Sequence, residues 1–364
     1  MEKRYSLPAV WLGAILVLAT GATTSWTQEA PAGRAATSAA PGVLAPAGDI
    51  SGESLTPKIL EDWTTPSLTG SDLELSDAVP GDIDTIDGVY THQVIRVQWR
   101  PADPIDLYII KPVGVKKPPV VLYLYSYPFE TDRFLQPGFC KFLVRNGFAA
   151  VGFASALTGH RYHDRPMKQW FVSELRESLA TSAHDVQMIL TYLTSRGDMD
   201  MNRVGMFGDG SGASIAILAA AADPRIKTLD LLNPWGDWPD WIAKSTRVPE
   251  NERPGFLKPE WLESVAPIDP VKWLPELKTQ KVRIQFVKTL PVTPADVQKK
   301  IAAAAPASAE IVHYDDLAAF RGAVADGTGF DWLKRQVRGV GPAEYHAGRT
   351  QSKSASVQAK DSQR

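Results

Sequence analysis

Between about residues 90 and 340 the chain alternates strand-length apolar runs with longer stretches whose apolar residues recur at helical spacing. Residues 91–100 (THQVIRVQWR) and 105–111 (IDLYIIK) are β-rich and separated by Pro101-Ala102-Asp103-Pro104, which predicts an antiparallel pair. Residues 119–125 and 149–154 are continuously apolar, as strands buried on both faces must be. Between them residues 134–146 have helical character and close at Gly147. A polar loop through Gly159, His160, Arg161, Tyr162, His163 and Asp164 leads into a helix predicted over 169–195, with Val186, Ile189, Leu190 and Leu193 at helical spacing. A short strand over 204–207 follows, then the turn Gly208-Asp209-Gly210-Ser211-Gly212, then a helix of small apolar residues ending at Asp223-Pro224. Further strands are expected at 226–232, 281–287 and 310–314, with helices at 295–305 and 330–340.

Strands alternating with helices after an antiparallel start predict an α/β fold, a doubly wound and mostly parallel sheet in one domain over 54–341. Residues 234–277 interrupt the pattern with a connection longer than usual. It carries Trp235, Trp238, Trp241, Trp261 and Trp273, five of the eleven tryptophans. Such an insertion is expected to form a small cap over the carboxyl ends of the strands, where open α/β sheets bind ligands. Its tryptophans either cement the cap to the body or floor a pocket for a ring-shaped ligand.

At the start, Lys3 and Arg4 precede an apolar run over about 7–19 and then small residues, the layout of a cleaved signal peptide over 1–26. The run is shorter than the roughly 20 apolar residues of a membrane span. Export to the periplasm or exterior, with no membrane attachment after cleavage, is therefore expected. Residues 27–53, rich in Ala, Pro and Gly, read as a flexible linker, and 342–364 as a disordered tail. A hydrophobic content of 44% suffices for a large core, and a net charge of −2 with interspersed signs excludes nucleic acid as a partner. The single cysteine, Cys140, has no disulfide partner within the chain and lies among apolar neighbours.

The strand, glycine-dense turn and buried helix around Gly208 to Gly212 resemble the nucleophile elbow of the α/β-hydrolase superfamily. Together with His184-Asp185-Val186 ahead of Asn202-Arg203-Val204-Gly205, and with Asp269-Pro270-Val271, they are similar to the dienelactone-hydrolase and acetyl-xylan-esterase-like groups. The resemblance implies a serine nucleophile, a histidine base, an orienting acid and backbone N–H groups for the oxyanion. The positions that should supply these read otherwise. Gly210 stands at the nucleophile, Leu290 at the acid, about Ala319 at the histidine, and Tyr125-Ser126-Tyr127 where the oxyanion loop has His-Gly. Without a base a serine hydroxyl stays protonated and is a poor nucleophile.

The leading expectation is a non-catalytic member in which Gly208, Gly210, Gly212, Tyr125, Ser126, Tyr127, Trp235 and Trp238 border a retained pocket for a small molecule. The alternative is an esterase with a rearranged site: Ser211 as nucleophile, His160 or His163 as base, and Asp209, Asp164 or Asp237 as orienting acid. Ser211 as a helix cap and His184 as a helix-face residue are the structural readings of those positions. A metal site from His160, His163, Asp164 and Asp209 rests on residue types alone, and no cofactor is called for.

Overall fold

The computed structural model describes residues 60–127, 131–145, 147–158, 161, 172–279 and 281–339. The expected signal peptide, linker and tail, and His160, His163 and Asp164, lie outside them.

One nine-stranded sheet runs through the domain: β1 (Val79–Ile86), β2 (Tyr90–Val97), β3 (Ile105–Pro112), β4 (Pro119–Leu124), β5 (Ala149–Gly152), β6 (Asp200–Asp209), β7 (Ile226–Leu232), β8 (Lys281–Val287) and β9 (Glu310–Tyr314). Their spatial order is β1-β2-β3-β5-β4-β6-β7-β8-β9. The first three strands pair antiparallel and β3 joins β5 antiparallel; every pair from β5 to β9 is parallel. The doubly wound, mostly parallel sheet with an antiparallel start is thus present.

Among the described residues ten α-helices connect or flank the strands: α1 (Pro137–Val144), α2 (Leu175–Arg196), α3 (Ser211–Ala222), α4 (Trp238–Lys244), α5 (Arg253–Phe256), α6 (Pro259–Val265), α7 (Pro270–Trp273), α8 (Ala295–Ala304), α9 (Leu317–Asp326) and α10 (Thr328–Arg338). α3 is apolar on every side, and each residue from Ser211 to Ala220 is buried. A helix of that kind has no solvent face and must be enclosed. Here α2, the sheet and the 234–277 insertion enclose it. On the opposite face α1 and α10 meet through Phe142 and Phe330, whose ring centroids are 5.4 Å apart.

Three elements differ from the sequence pattern. β1 was not anticipated: it is exposed along nearly its whole length and contains Pro80 and Gly81, so it shows no alternation and pairs only as an edge with a register shift between Pro80 and Ile83. The helix expected over 134–146 is divided into a 3-10 turn, Asp132–Leu135, and α1. Pro137 forces this division, because the residue before a proline is pushed out of the helical region, and Gln136 is extended at φ −94° and ψ 111°. Between β9 and the helix expected at 330–340 lies a further helix, α9, with Asp316 accepting a hydrogen bond from the Ala319 amide at its N-cap.

A buried ionic network ties the front of the domain to α2. Asp185, fully buried, accepts from Trp99 Nε1 (2.9 Å), Arg100 Nη1 (2.5 Å) and Arg161 Nη1 (2.8 Å). Arg100 also grips Glu61 in a two-point pair at 2.7 Å, and Arg161 does the same to Asp103. Breaking such a pair strands a charge, which costs about 3–5 kcal/mol.

Among the described glycines, the closest approach to another segment's backbone is that of α3 to β4. A Cβ on Gly212 would lie 2.3 Å from the Leu124 carbonyl oxygen, a backbone atom that cannot step aside. We expect Gly212→Ala to lower stability by about 3 kcal/mol. Gly255→Ala, where nothing lies within 4 Å of the new carbon, should change stability by about 1 kcal/mol or less in either direction. Urea denaturation of both variants checks the contrast.

Candidate functional site at the elbow

β6 delivers Asp209 to the carboxyl edge of the sheet, and the chain reverses at Gly210 before entering α3. Gly210 holds φ 57° and ψ −117°, a conformation strained for any residue with a side chain and open to glycine. This is the strand-turn-helix corner on which an elbow depends, and its backbone is intact. Gly210 N donates to the Leu232 carbonyl at 2.9 Å, and Ala213 N and Ser214 N return to the Gly210 carbonyl.

The space above Gly210 is taken. A Cβ placed there would lie 2.6 Å from Ser126 Oγ and 3.2 Å from Trp235 Nε1. The loop after β4 therefore leans over the elbow with a side chain where the resemblance calls for an oxyanion donor. Ser211 is completely buried, and its Oγ accepts a hydrogen bond from the Tyr127 amide at 3.1 Å. It is the first residue of α3, and makes no side-chain cap. Ser214 fastens the insertion: its Oγ donates to the Trp235 carbonyl at 2.8 Å. Trp235 in turn stacks on Trp241 at 4.8 Å, and Trp238 meets Trp241 edge-on at 5.8 Å. All three rings are buried, so they pack the insertion to the body and offer no open stacking floor.

Asp209 is 6% exposed. Burial pushes its carboxyl up to about 6, against the attraction of Arg133 and Arg247. The Arg133 guanidinium lies over the Tyr125 ring at 4.1 Å, and burial pushes the Tyr125 phenol well above its usual range. Nothing in the sequence singled out Arg133 and Arg247. They come from a 3-10 turn and from the insertion, remote in sequence from the elbow, and no motif spacing marks them.

The other expected participants are engaged elsewhere. Asp237 pairs with Lys300 at 2.7 Å. His184, 1% exposed, has Nδ1 2.6 Å from Glu61 Oε1 and Nε2 3.0 Å from the Thr65 carbonyl. His313 lies in β9 and stacks on Phe286 at 5.5 Å. Leu290 follows β8, and Ala319 sits in the first turn of α9. The two loops that would carry acid and histidine are joined by an exposed ion pair, Lys288 to Asp315 at 2.6 Å. Among the described residues no three His, Cys, Asp or Glu side chains gather as a metal site, and no helix is long and apolar enough to cross a membrane.

No family model matches the chain, and no curated protein matches it by sequence. Among solved structures it is similar to the acetyl xylan esterase from Paenibacillus sp. R4, with TM-score 0.57 and 14% identity over 74% of this chain and 95% of the esterase. Acetyl xylan esterase 1 from Thermoanaerobacterium sp. JW/SL YS485 is similar at TM-score 0.54 and 14% identity, over 67% of this chain and 81% of its own. The likeness shows the fold: this chain has the α/β-hydrolase fold.

Asp209 makes stability depend on pH. Its folded value of about 6 stands above the ordinary 3.8. The stability it contributes is complete below pH 3.8 and is lost as pH rises through about 6. At about 1.4 kcal/mol per unit, wild type should lose about 3 kcal/mol across that window relative to Asp209→Asn, which cannot ionise. Melting curves of both proteins at pH 4 and pH 8 check this: the variant's advantage should appear only at the higher pH.

Proposed function

We propose that this protein is a non-hydrolytic member of the α/β-hydrolase fold that binds a small molecule at the elbow end of its sheet. One observation carries the reading: the place of a nucleophilic side chain on Gly210 is filled by Ser126 and Trp235. The turn that would present a nucleophile is thus kept, while a side chain on it would meet Ser126 Oγ and Trp235 Nε1. Further support comes from Ser211, whose hydroxyl is buried and committed to the Tyr127 amide. The hydroxyl would have to leave that contact and gain a base before it could attack an ester. The rival is the rearranged esterase, with Ser211 served by His160 or His163. Both histidines lie outside the described residues, so a chemical test separates the two. Export through the N-terminal leader, with Lys3 and Arg4 before the apolar run, belongs to the same proposal.

The test is labelling of the full chain with a fluorophosphonate, alongside Ser211→Ala and with the labelled residue mapped by mass spectrometry. We expect no stoichiometric labelling and no hydrolysis of p-nitrophenyl acetate above the uncatalysed rate. Stoichiometric label on Ser211, or on any other serine at the elbow, overturns the proposal. Gly210→Ser should create no esterase activity. It should also cost about 1–3 kcal/mol, since the new side chain meets Ser126 in a strained backbone conformation.

A further inference from the structure

Among the described residues, five of the eight exposed large apolar side chains lie in β1 or in the loops beside it: Val79, Ile83, Val89, Val113 and Val115. β1 is an edge strand, paired with β2 on one side and with no described strand on the other. Next to it a groove of about 360 Å³ opens over one face of the antiparallel strands, lined by Ile83, Thr85, Gln93, Ile109, Val113 and Val115. An edge of this kind is a ready template for another strand. Pro80 and the register shift after it interrupt only the first half of β1. The strand is also acidic: residues 59–95 hold eight acidic side chains and no Lys or Arg. Among the described residues Asp82 and Asp84 form no ion pair.

The chain leaves the described domain beside this edge. The Arg338 guanidinium, at the end of α10, is 5.9 Å from the Phe148 ring. Gly147, next to Phe148, abuts Val115: a Cβ on it would lie 3.7 Å from Val115 Cγ2. Val113 N in turn donates to the Val89 carbonyl at 2.9 Å. Ile86 pairs with Tyr90, and Tyr90 with Pro112, so β1 finishes at the end of the sheet where β5 begins.

We propose that residues 353–360 of this chain add to the free edge of β1 as a tenth, antiparallel strand, with Val357 opposite Ile83. The sequence Ser354-Ala355-Ser356-Val357-Gln358-Ala359-Lys360 alternates small apolar and polar residues at the period of a strand. A segment arriving from Gly339 enters at the Ile86 end of β1 and therefore runs against it. Residues 340–352 span up to about 45 Å when extended, and four strand spacings from β5 to the new position need only about 20 Å. In this register Ala355 lies opposite Thr85, Lys360 is diagonal to Asp82, and Lys353 reaches Asp87 at the end of the strand. The charges are complementary: residues 349–364 carry four Lys and Arg against one Asp. Pairing β1 with β1 of a second copy about Ile83 would instead set Asp82 against Asp84, which is repulsive. Main-chain pairing supplies the affinity and side-chain alternation the register, so a tail that is polar by composition orders on contact. This assignment is independent of whether the elbow hydrolyses esters.

Hydrogen exchange of the full chain, read on peptides covering 79–86, tests it. The β1 amides that point away from β2 should exchange roughly tenfold more slowly in wild type than in Val357→Asp, or than in Lys353→Glu combined with Lys360→Glu. Asp82→Lys with Asp84→Lys should speed exchange as well. Combining those two with the two lysine-to-glutamate changes should restore the protection, a rescue that damage to the fold could not produce. In a second measurement, Ile83→Cys with Val357→Cys should close an intramolecular disulfide on mild oxidation; Cys140 is buried and does not compete. Equal exchange in wild type and the tail variants overturns the proposal. So does a Cys pair that stays open, or one that closes only between chains, which would give the edge to a second copy.

Discussion

The fold hangs on how closely α3 approaches the sheet. Gly212 lets the helix backbone reach the Leu124 carbonyl, and Gly210 lets the chain turn from β6 into α3 at a positive φ. From that contact follow the burial of α3 from Ser211 to Ala220, the seating of α2 against it, and the fastening of the insertion through Ser214 and the Trp235 backbone. A larger residue at Gly212 would push the helix off β4 and open the layer that these elements share. The turn therefore has a structural cause that does not require a nucleophile. A chain can keep the elbow because the helix must pack, whatever residue stands at its apex.

The buried charges divide into two kinds. Asp185 with Arg100 and Arg161, and Asp230 with Arg283 and Gln285, are closed sets in which each carboxylate oxygen meets a donor. Closed sets of this kind hold elements in register and leave no valence for a ligand. Asp209, Arg133 and Arg247 form an open set. They sense one another electrostatically without direct pairing, and burial keeps the Asp209 carboxyl raised to about 6.

Most of the architecture was legible because it rests on local pattern. The all-apolar runs at β4 and β5, the glycine-dense turn and the alanine-rich α3 each constrain a backbone within a few residues. β1 was not legible: an exposed edge strand has no buried face to enforce alternation. The break before α1 was written in Pro137, and the start of α9 in Asp316; both are single-residue signals inside longer apolar stretches. Of the elbow, the turn at Gly210 between β6 and α3 was legible. The collision of Ser126 with the apex, and the meeting of Arg133 and Arg247 around Asp209, arise from contacts between distant segments that no spacing rule encodes.

Likeness to acetyl xylan esterases and a closed apex are compatible because they concern different atoms. The superposition reports the path of the backbone, which the packing of α3 enforces; hydrolysis depends on a few side chains that packing leaves unconstrained. At this elbow the changes interlock. Ser126 fills the space that a Gly210 side chain would need, the Tyr127 amide is spent on Ser211 Oγ, and Lys288 and Asp315 bridge the loops that would carry acid and histidine. Each residue takes a position that hydrolysis would require to be free. On the proposed non-hydrolytic reading, restoring one of them would leave the others in place, so no single substitution would recover hydrolysis.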